Sequence, residues 1–166
     1  MLARVVILAA VVLVAVGALS GSGLLERLAP ALTGAAAPEP TPERGPVVLE
    51  ADASGHYLVD GSVDGRPVRF VVDTGATRVA LSAETARRIG LSVDRSAFTA
   101  LTRTANGTVS AAPVRLGEVR VGGVRIADVD ALVMPEGALG VDLLGMSFLS
   151  RLGGIRVSGR QMVLSP

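Results

Sequence analysis

The sequence predicts an all-β fold, a small closed β architecture with one or two short helices. Beyond its first part, the 166-residue chain consists mostly of short apolar runs rich in Val, Leu and Ile. Asp64-Gly65, Asn106-Gly107 and Gly122-Gly123 separate several of these runs, and such dipeptides are typical of tight hairpins. Many short strands joined by hairpin turns are the pattern of small barrels, which leave few strand edges exposed.

The composition excludes several classes of function. The chain has no Cys and a single His, His56, so it lacks disulfides, thiol nucleophiles and the ligands of a typical zinc site. We interpret His56 as a surface or strand-edge residue, because no Gly-x-Ser-x-Gly elbow accompanies it. Aromatic residues make up 2% of the chain and the net charge is +1. We therefore expect no metal, no other cofactor and no nucleic-acid partner.

The first 25 residues predict a membrane segment. Arg4 precedes an apolar run from Val5 to Leu19, and weakly polar residues continue the stretch to Leu25. We interpret residues 1–25 as an uncleaved signal anchor, because the stretch approaches the ~20 residues that span a bilayer and Arg4 favours a cytoplasmic N-terminus. A signal peptide cleaved near Val16-Gly17-Ala18 is the alternative.

Residues 26–46 are predicted to be a linker and residues 47–166 the folded domain. The linker is rich in Pro and Ala, so it cannot form a helix interior and has little to bury. About 120 residues remain, which is enough for a single core.

Strands are predicted from apolar runs bounded by turn residues. Three successive apolar residues at the end of one run, Phe70 to Val72, predict a strand buried on both faces. The predicted strands are His56–Val63, Val68–Val72, Ala97–Thr104, Thr108–Val114, Glu118–Val121, Val124–Val129, Ala131–Met134, Ile155–Val157 and Gln161–Leu164.

Two helices are predicted. The first covers Ser82 to Ile89, with Ser82 as its N-cap and Gly90 as its stop. The second covers Asp142 to Leu152, with Asp142 as its cap and apolar residues at positions 143, 144, 148, 149 and 152.

A single Asp-Thr-Gly tripeptide, Asp73-Thr74-Gly75, directly follows the apolar strand. Metal-free peptide hydrolysis needs one carboxylate to take a proton from water and a second, protonated carboxyl to polarise the carbonyl. A strand end gives Asp73 a rigid base, and Gly75 allows the backbone to turn closely beneath it. The alternative is a simple turn, in which Asp73 bonds only to its own backbone.

A second segment extends the pattern. Phe70–Ala76 and Leu143–Leu149, in that order, resemble the two conserved segments of bacterial retropepsin-like (clan AA) aspartic proteases that carry an N-terminal membrane segment. The resemblance covers Val47 to Pro166. It implies the acid protease fold, in which the segment Leu143-Leu144-Gly145 crosses the catalytic loop and a hairpin at Asn106-Gly107 forms the flap.

The resemblance also implies roles for individual residues. Asp73 is the expected catalytic carboxylate, Thr74 the donor of a hydroxyl bond between subunits, and Gly75 the residue that shapes the loop. The expected substrate-binding residues are Ala76, Thr77, Arg103, Thr104, Ala105, Asn106 and Gly107. Since only one Asp-Thr-Gly is present, the second carboxylate must come from another copy of the chain, which predicts a homodimer.

Together these features predict an aspartic endopeptidase that binds peptide or protein substrates. The expected location is the bacterial inner membrane, crossed once, with the protease domain in the periplasm or cell exterior. A non-catalytic peptide-binding or assembly module with the same fold is the alternative.

Overall fold

The computed structural model describes residues 45–104 and 107–166. The predicted membrane anchor and nearly all of the predicted linker lie outside these residues, as do Ala105 and Asn106 at the predicted flap tip. Among the described helices, none combines the length and apolarity needed to cross a bilayer.

Short strands dominate the described part of the chain. The strands are β1 (Val47–Glu50), β2 (Leu58–Val63), β3 (Arg66–Val72), β4 (Val79–Leu81), β5 (Ala100–Thr104), β6 (Gly107–Val121), β7 (Val124–Val133), β8 (Asp142–Leu144), β9 (Gly154–Ser158) and β10 (Gln161–Ser165). The helices are α1 (Ala83–Arg88), a 3₁₀ turn (Arg95–Ala97) and α2 (Met146–Leu149).

Six strands close into a barrel in the order β2-β3-β8-β4-β7-β6, and β6 then pairs with β2. Most neighbours are antiparallel, but β3–β8 and β4–β7 are parallel. Closure removes the strand edges that an open sheet would expose. The prediction of an all-β closed architecture with short helices is therefore confirmed.

Two groups of strands extend beyond this barrel. The strands β1, β10 and β9 form a three-stranded sheet. Strand β5 pairs with the start of β6, from Ala100↔Ala111 to Thr104↔Gly107, and forms a hairpin that we call the flap hairpin, residues 100–104 and 107–111. The hairpin predicted around Asn106-Gly107 is confirmed by this register.

The largest of three apolar clusters in the described part of the chain lies inside the barrel. Phe70 of β3, Leu81 of β4, Leu144 of β8 and Phe148 of α2 are fully buried within it. Full burial of a side chain of this size contributes about 1.5–3 kcal/mol. Because these residues flank the loop that follows β3, the core directly supports that loop.

Two local predictions follow from backbone and capping chemistry. Asp64 and Gly65 both have positive φ, 48° and 78°, as the tight β2–β3 hairpin requires. Ser82 caps α1 by accepting the N–H of Thr85 at 3.1 Å, and Gly90, with φ 79°, follows its end. Both predictions are confirmed.

The predicted helix from Asp142 to Leu152 is wrong over its first residues. Asp142–Leu144 is strand β8, inserted between β3 and β4, and only Met146–Leu149 is helical. Adjacent apolar residues suit a strand buried on both faces as well as a helix. Asp142 is not the cap of its own helix either. Its buried carboxylate accepts the N–H of Ser82 and the hydroxyl of Thr85, each at 2.7 Å.

Other strand predictions need smaller corrections. The runs Thr108–Val114 and Glu118–Val121 belong to one strand, β6, and the two runs after Gly122-Gly123 belong to β7. Strand β3 alternates between buried and exposed residues until Phe70, so it is not buried on both faces throughout. The short strands β1 and β4 were not predicted.

Candidate active site

Asp73 begins the loop that follows β3, residues Asp73 to Arg78, which we call the Asp73 loop. Within it the Asp73 Oδ1 atom accepts the N–H of Gly75 at 2.8 Å, and the Asp73 carbonyl accepts the N–H of Ala76 at 3.3 Å. The first contact is the Asx-type bond expected of a simple turn. A Cβ on Gly75 would lie 3.1 Å from Asp73 Oδ1, which explains why glycine suits this position.

A segment that lies far from the Asp73 loop in the sequence supports it through hydrogen bonds. Residues 144–147 run from the last residue of β8 into the first turn of α2 and form four hydrogen bonds with the loop or its ends. They are Asp73 N–H to Leu144 O (3.1 Å), Met146 N–H to Ala76 O (2.8 Å), Ser147 N–H to Thr77 O (3.0 Å) and Val79 N–H to Ser147 Oγ (2.9 Å). The prediction that Leu143-Leu144-Gly145 crosses the loop is confirmed.

Gly145 lies at the closest approach between the two segments. It is buried, and a Cβ at this position would lie 2.8 Å from the carbonyl oxygen of Ala76 and even closer to that of Arg78. Atoms do not approach so closely without displacement, so the loop rests directly on the Gly145 backbone. This close approach fixes the position of the loop relative to the barrel.

A cleft of about 1010 Å³ opens between the Asp73 loop and the flap hairpin. Six of the predicted site residues line it, namely Asp73, Gly75, Ala76, Thr77, Arg103 and Thr104. Thr74 is exposed and is not part of this lining. Gly107 pairs with Thr104 where β6 begins, while Ala105 and Asn106 lie outside the described residues.

Several lining residues were not predicted from the sequence. Leu132 and Met134 come from the end of β7 and the residue that follows it, and Leu139 from the next loop. Leu101 of β5 and Arg78 of the Asp73 loop are two further examples. Arg78 directly follows Thr77, and Leu101 lies two residues before the predicted Arg103, so both had a signal in the sequence. Leu132 and Met134 instead reach the cleft through long-range pairing of β7 with β4 and β6.

The cleft thus combines one half-exposed carboxylate with a largely apolar wall and two cationic side chains. An extended peptide placed between the Asp73 loop and β5 would contact both. Among the described strands, β5 pairs with β6 alone, so its other edge retains backbone groups that a peptide could pair with.

Solved structures define the class of protein. The fold is similar to the crystal structure of a retropepsin-like aspartic protease from Rickettsia conorii, with a TM-score of 0.64 and 33% identity over 72% of this chain and 89% of the other. The EIAV protease, solved with the inhibitor HBY-793, shares the fold at a TM-score of 0.50 and 20% identity, over 61% of this chain and 91% of that one. The domain has a retropepsin-like aspartic protease fold.

The family follows from the sequence comparison. Residues 59–151 match the family described as "gag-polyprotein putative aspartyl protease", and the chain belongs to it. A similar protein is an uncharacterized one in the cobV 5' region of Sinorhizobium sp., 42% identical over 106 residues, 64% of this chain and 46% of the relative.

A second relative comes from Rickettsia prowazekii (strain Madrid E). It is the uncharacterized protein RP867, 32% identical over 123 residues, 74% of this chain and 52% of the relative. The chain therefore spans about half the length of the curated relatives it matches.

Proposed function

We propose that the chain is an aspartic endopeptidase that hydrolyses peptide bonds with water activated between the Asp73 carboxylates of two subunits. The observation that carries this proposal is the position of Asp73. Its carboxylate lies in the cleft on a loop held by four hydrogen bonds from residues 144–147. The family match and the similarity to the Rickettsia conorii protease support the same reaction class.

The chemistry assigns a different task to each of the two carboxyl groups. The ionised group takes a proton from water while the oxygen of that water attacks the peptide carbonyl carbon, and the protonated group donates its proton to the carbonyl oxygen. The carboxyl that took the water proton then donates it to the peptide nitrogen as the carbon–nitrogen bond breaks, and a hydroxyl of the intermediate returns its proton to the other carboxylate as the new carboxylic acid forms. The Gly75 N–H donates to Asp73 Oδ1 and so orients the carboxylate, while both of its oxygens keep lone pairs for the water and the other carboxyl.

The pair must share a proton, because two carboxylates a few ångströms apart cannot both remain ionised. One chain supplies only one Asp-Thr-Gly, so the second group comes from a two-fold-related copy in this proposal. The reaction needs one ionised and one protonated carboxyl at the same time, so we expect the highest activity on the acidic side of neutral pH.

The substitution Asp73→Asn tests the reaction. We expect it to abolish cleavage of a peptide library by the full chain between acid and neutral pH, and to leave the thermal unfolding midpoint nearly unchanged. Asp94→Asn is the matched control, because Asp94 is exposed and its side chain makes no capping bond. Undiminished cleavage by the Asp73→Asn variant would rule out this mechanism.

A mixing experiment tests the shared site. After subunit exchange, an equal mixture of wild type and Asp73→Asn should retain about one quarter of the wild-type activity, because a mixed dimer has one carboxylate. Independent active sites would instead retain about half. Peptide binding by the wild type without any cleavage would point to a non-catalytic peptide-binding module.

We also propose that residues 1–25 anchor the protein in the bacterial inner membrane, with the domain in the periplasm or cell exterior. The apolar sequence from Val5 to Leu19 and the preceding Arg4 support this. Tethering would raise the local concentration of subunits and favour the dimer. Membrane fractionation, followed by protease treatment of intact cells and spheroplasts, tests it. A domain recovered in the soluble cytoplasmic fraction would contradict the anchor.

A further inference from the structure

Two arginines lie in the cleft beside the candidate catalytic residue. Arg78 is the last residue of the Asp73 loop, and Arg103 lies on β5 of the flap hairpin. They therefore approach the cleft from its two opposite walls. Of the described residues that line the cleft, Asp73 alone is acidic, so the two guanidinium groups leave the cleft with a net positive charge.

Neither arginine has an acidic partner among the described residues. Some other exposed arginines do form ion pairs, such as Arg87 with Glu136 at 2.6 Å and Arg115 with Asp130 at 3.0 Å. Within residues 45–104 and 107–166, no carboxylate is within ion-pair distance of Arg78 or Arg103. Their donors are thus free of internal competition from carboxylates.

The surroundings of the two arginines increase what a bound carboxylate would gain. Leu101 lies two residues from Arg103 on the same face of β5, and Leu132, Met134 and Leu139 form apolar parts of the cleft. A peptide seated against these side chains excludes water, which strengthens charge interactions nearby. A guanidinium group also offers paired N–H donors that match the two oxygens of a carboxylate.

We propose that Arg78 and Arg103 make the enzyme selective for peptides with Asp or Glu close to the cleaved bond, next to an apolar residue. This inference rests on the proposed protease function and specifies the substrate class of that same site. In a two-fold dimer each arginine occurs twice, so acidic residues would be favoured on both sides of the cleaved bond. The arginines are specificity-determining residues and do not take part in bond cleavage.

Binding to the Asp73→Asn variant of the full chain tests the selectivity separately from catalysis. The probes are fluorescent peptides that share an apolar core and carry Glu, Gln or Lys at one flanking position. We expect the Glu peptide to bind about fivefold more tightly than the Gln peptide at low ionic strength, and the difference to shrink with added salt.

Charge reversal then identifies the residues responsible. Arg78→Glu and Arg103→Glu, each in the Asp73→Asn background, should reduce or invert the preference for Glu over Lys. Arg156→Glu is the matched control, because Arg156 is an exposed arginine of β9 that does not line the cleft. The same substitutions in the active chain should change kcat/KM for Glu peptides much more than for Gln peptides.

Different results separate this inference from the proposed function. If peptides are cleaved through Asp73 but Glu and Gln peptides are bound and cleaved equally, the selectivity is overturned while the protease function stands. An equal loss of preference in Arg156→Glu would also overturn it, because the effect would then reflect overall charge. If the wild type cleaves no peptide but the Asp73→Asn variant still binds Glu peptides more tightly, the protease function fails and the charge selectivity of the cleft remains.

Discussion

The Asp73 loop and the flap hairpin form opposite walls of one cleft, yet they are held in different ways. The loop is bonded to residues 144–147, some seventy positions along the chain, and rests on the backbone of Gly145. The flap hairpin is held mainly by pairing of its own two strands, and within residues 45–104 and 107–166 no second strand pairs with β5.

This difference separates two requirements of the site. A reacting carboxylate must be held within a fraction of an ångström, which long-range hydrogen bonds and close packing can achieve. A wall that admits and releases a peptide must instead move at low cost, and edge strands with exposed backbone hydrogen bonds open most easily. We therefore expect substitutions in residues 144–147, which support the loop, to affect folding and turnover. Substitutions on the flap hairpin should affect substrate binding.

The largest effect on stability and activity is expected from Gly145→Ala. The added Cβ would overlap the carbonyl oxygens of Ala76 and Arg78, which are backbone atoms that cannot rotate away. Overpacking of this kind costs about 3 kcal/mol in the free energy of unfolding, and the displaced loop should lose most of its activity. Chemical denaturation measures the first effect and peptide cleavage the second.

The control for this substitution is Gly154→Ala. Gly154 has no neighbouring atom within 4 Å of the Cβ position, so the change should be nearly neutral. Equal stability of the two variants would show that the loop does not rest on Gly145 as closely as the structure indicates.

A smaller effect is expected from Ser147→Ala. The Ser147 hydroxyl accepts the N–H of Val79, a fully buried residue, and its loss leaves that donor unsatisfied. The expected cost is about 1–2 kcal/mol, accompanied by a lower kcat and little change in KM. Ser150→Ala on the same helical turn is the control, because Ser150 is exposed and bonds only to Met146. A change confined to KM would argue against a positioning role for Ser147.

The smallest effect on stability is expected from Leu101→Ala on the flap hairpin. Leu101 is 79% exposed, so its truncation should change the free energy of unfolding by less than about 0.5 kcal/mol. It should nevertheless raise KM for peptides, because Leu101 lines the cleft. Val157→Ala, at 55% exposure on β9, should change neither quantity. A lowered kcat with unchanged KM would contradict these roles, because the flap hairpin would then affect turnover and not substrate binding.

The parts of the fold that follow from the sequence are those that depend on neighbouring residues. Asp64-Gly65 specifies the β2–β3 turn because few other pairs accept two positive φ angles, and Ser82 caps α1 through a bond three residues away. The position of Asp73 at a strand end is likewise a local property. Four of the loop residues named from the sequence, Asp73, Gly75, Ala76 and Thr77, accordingly line the cleft.

The parts that could not be predicted depend on distant pairing. Leu143 and Leu144 look helical beside Phe148 and Leu149, and only the insertion of β8 between β3 and β4 makes them a strand. The carboxylate of Asp142 serves helix α1, sixty residues earlier, instead of the helix that follows it. Similarly, Met134 and Leu139 carry no local signal that they line the cleft.

The pairing of β1 with β10 has a consequence for how the domain is made. Val47 lies opposite Leu164, so the first strand of the domain pairs with the last. During synthesis β1 leaves the ribosome long before its partner exists, and its edge must stay unpaired until β10 follows. Contacts of such long sequence separation form late and slowly. The sheet formed by β1, β10 and β9 should thus be the last to assemble. The strands that form the cleft can fold before it.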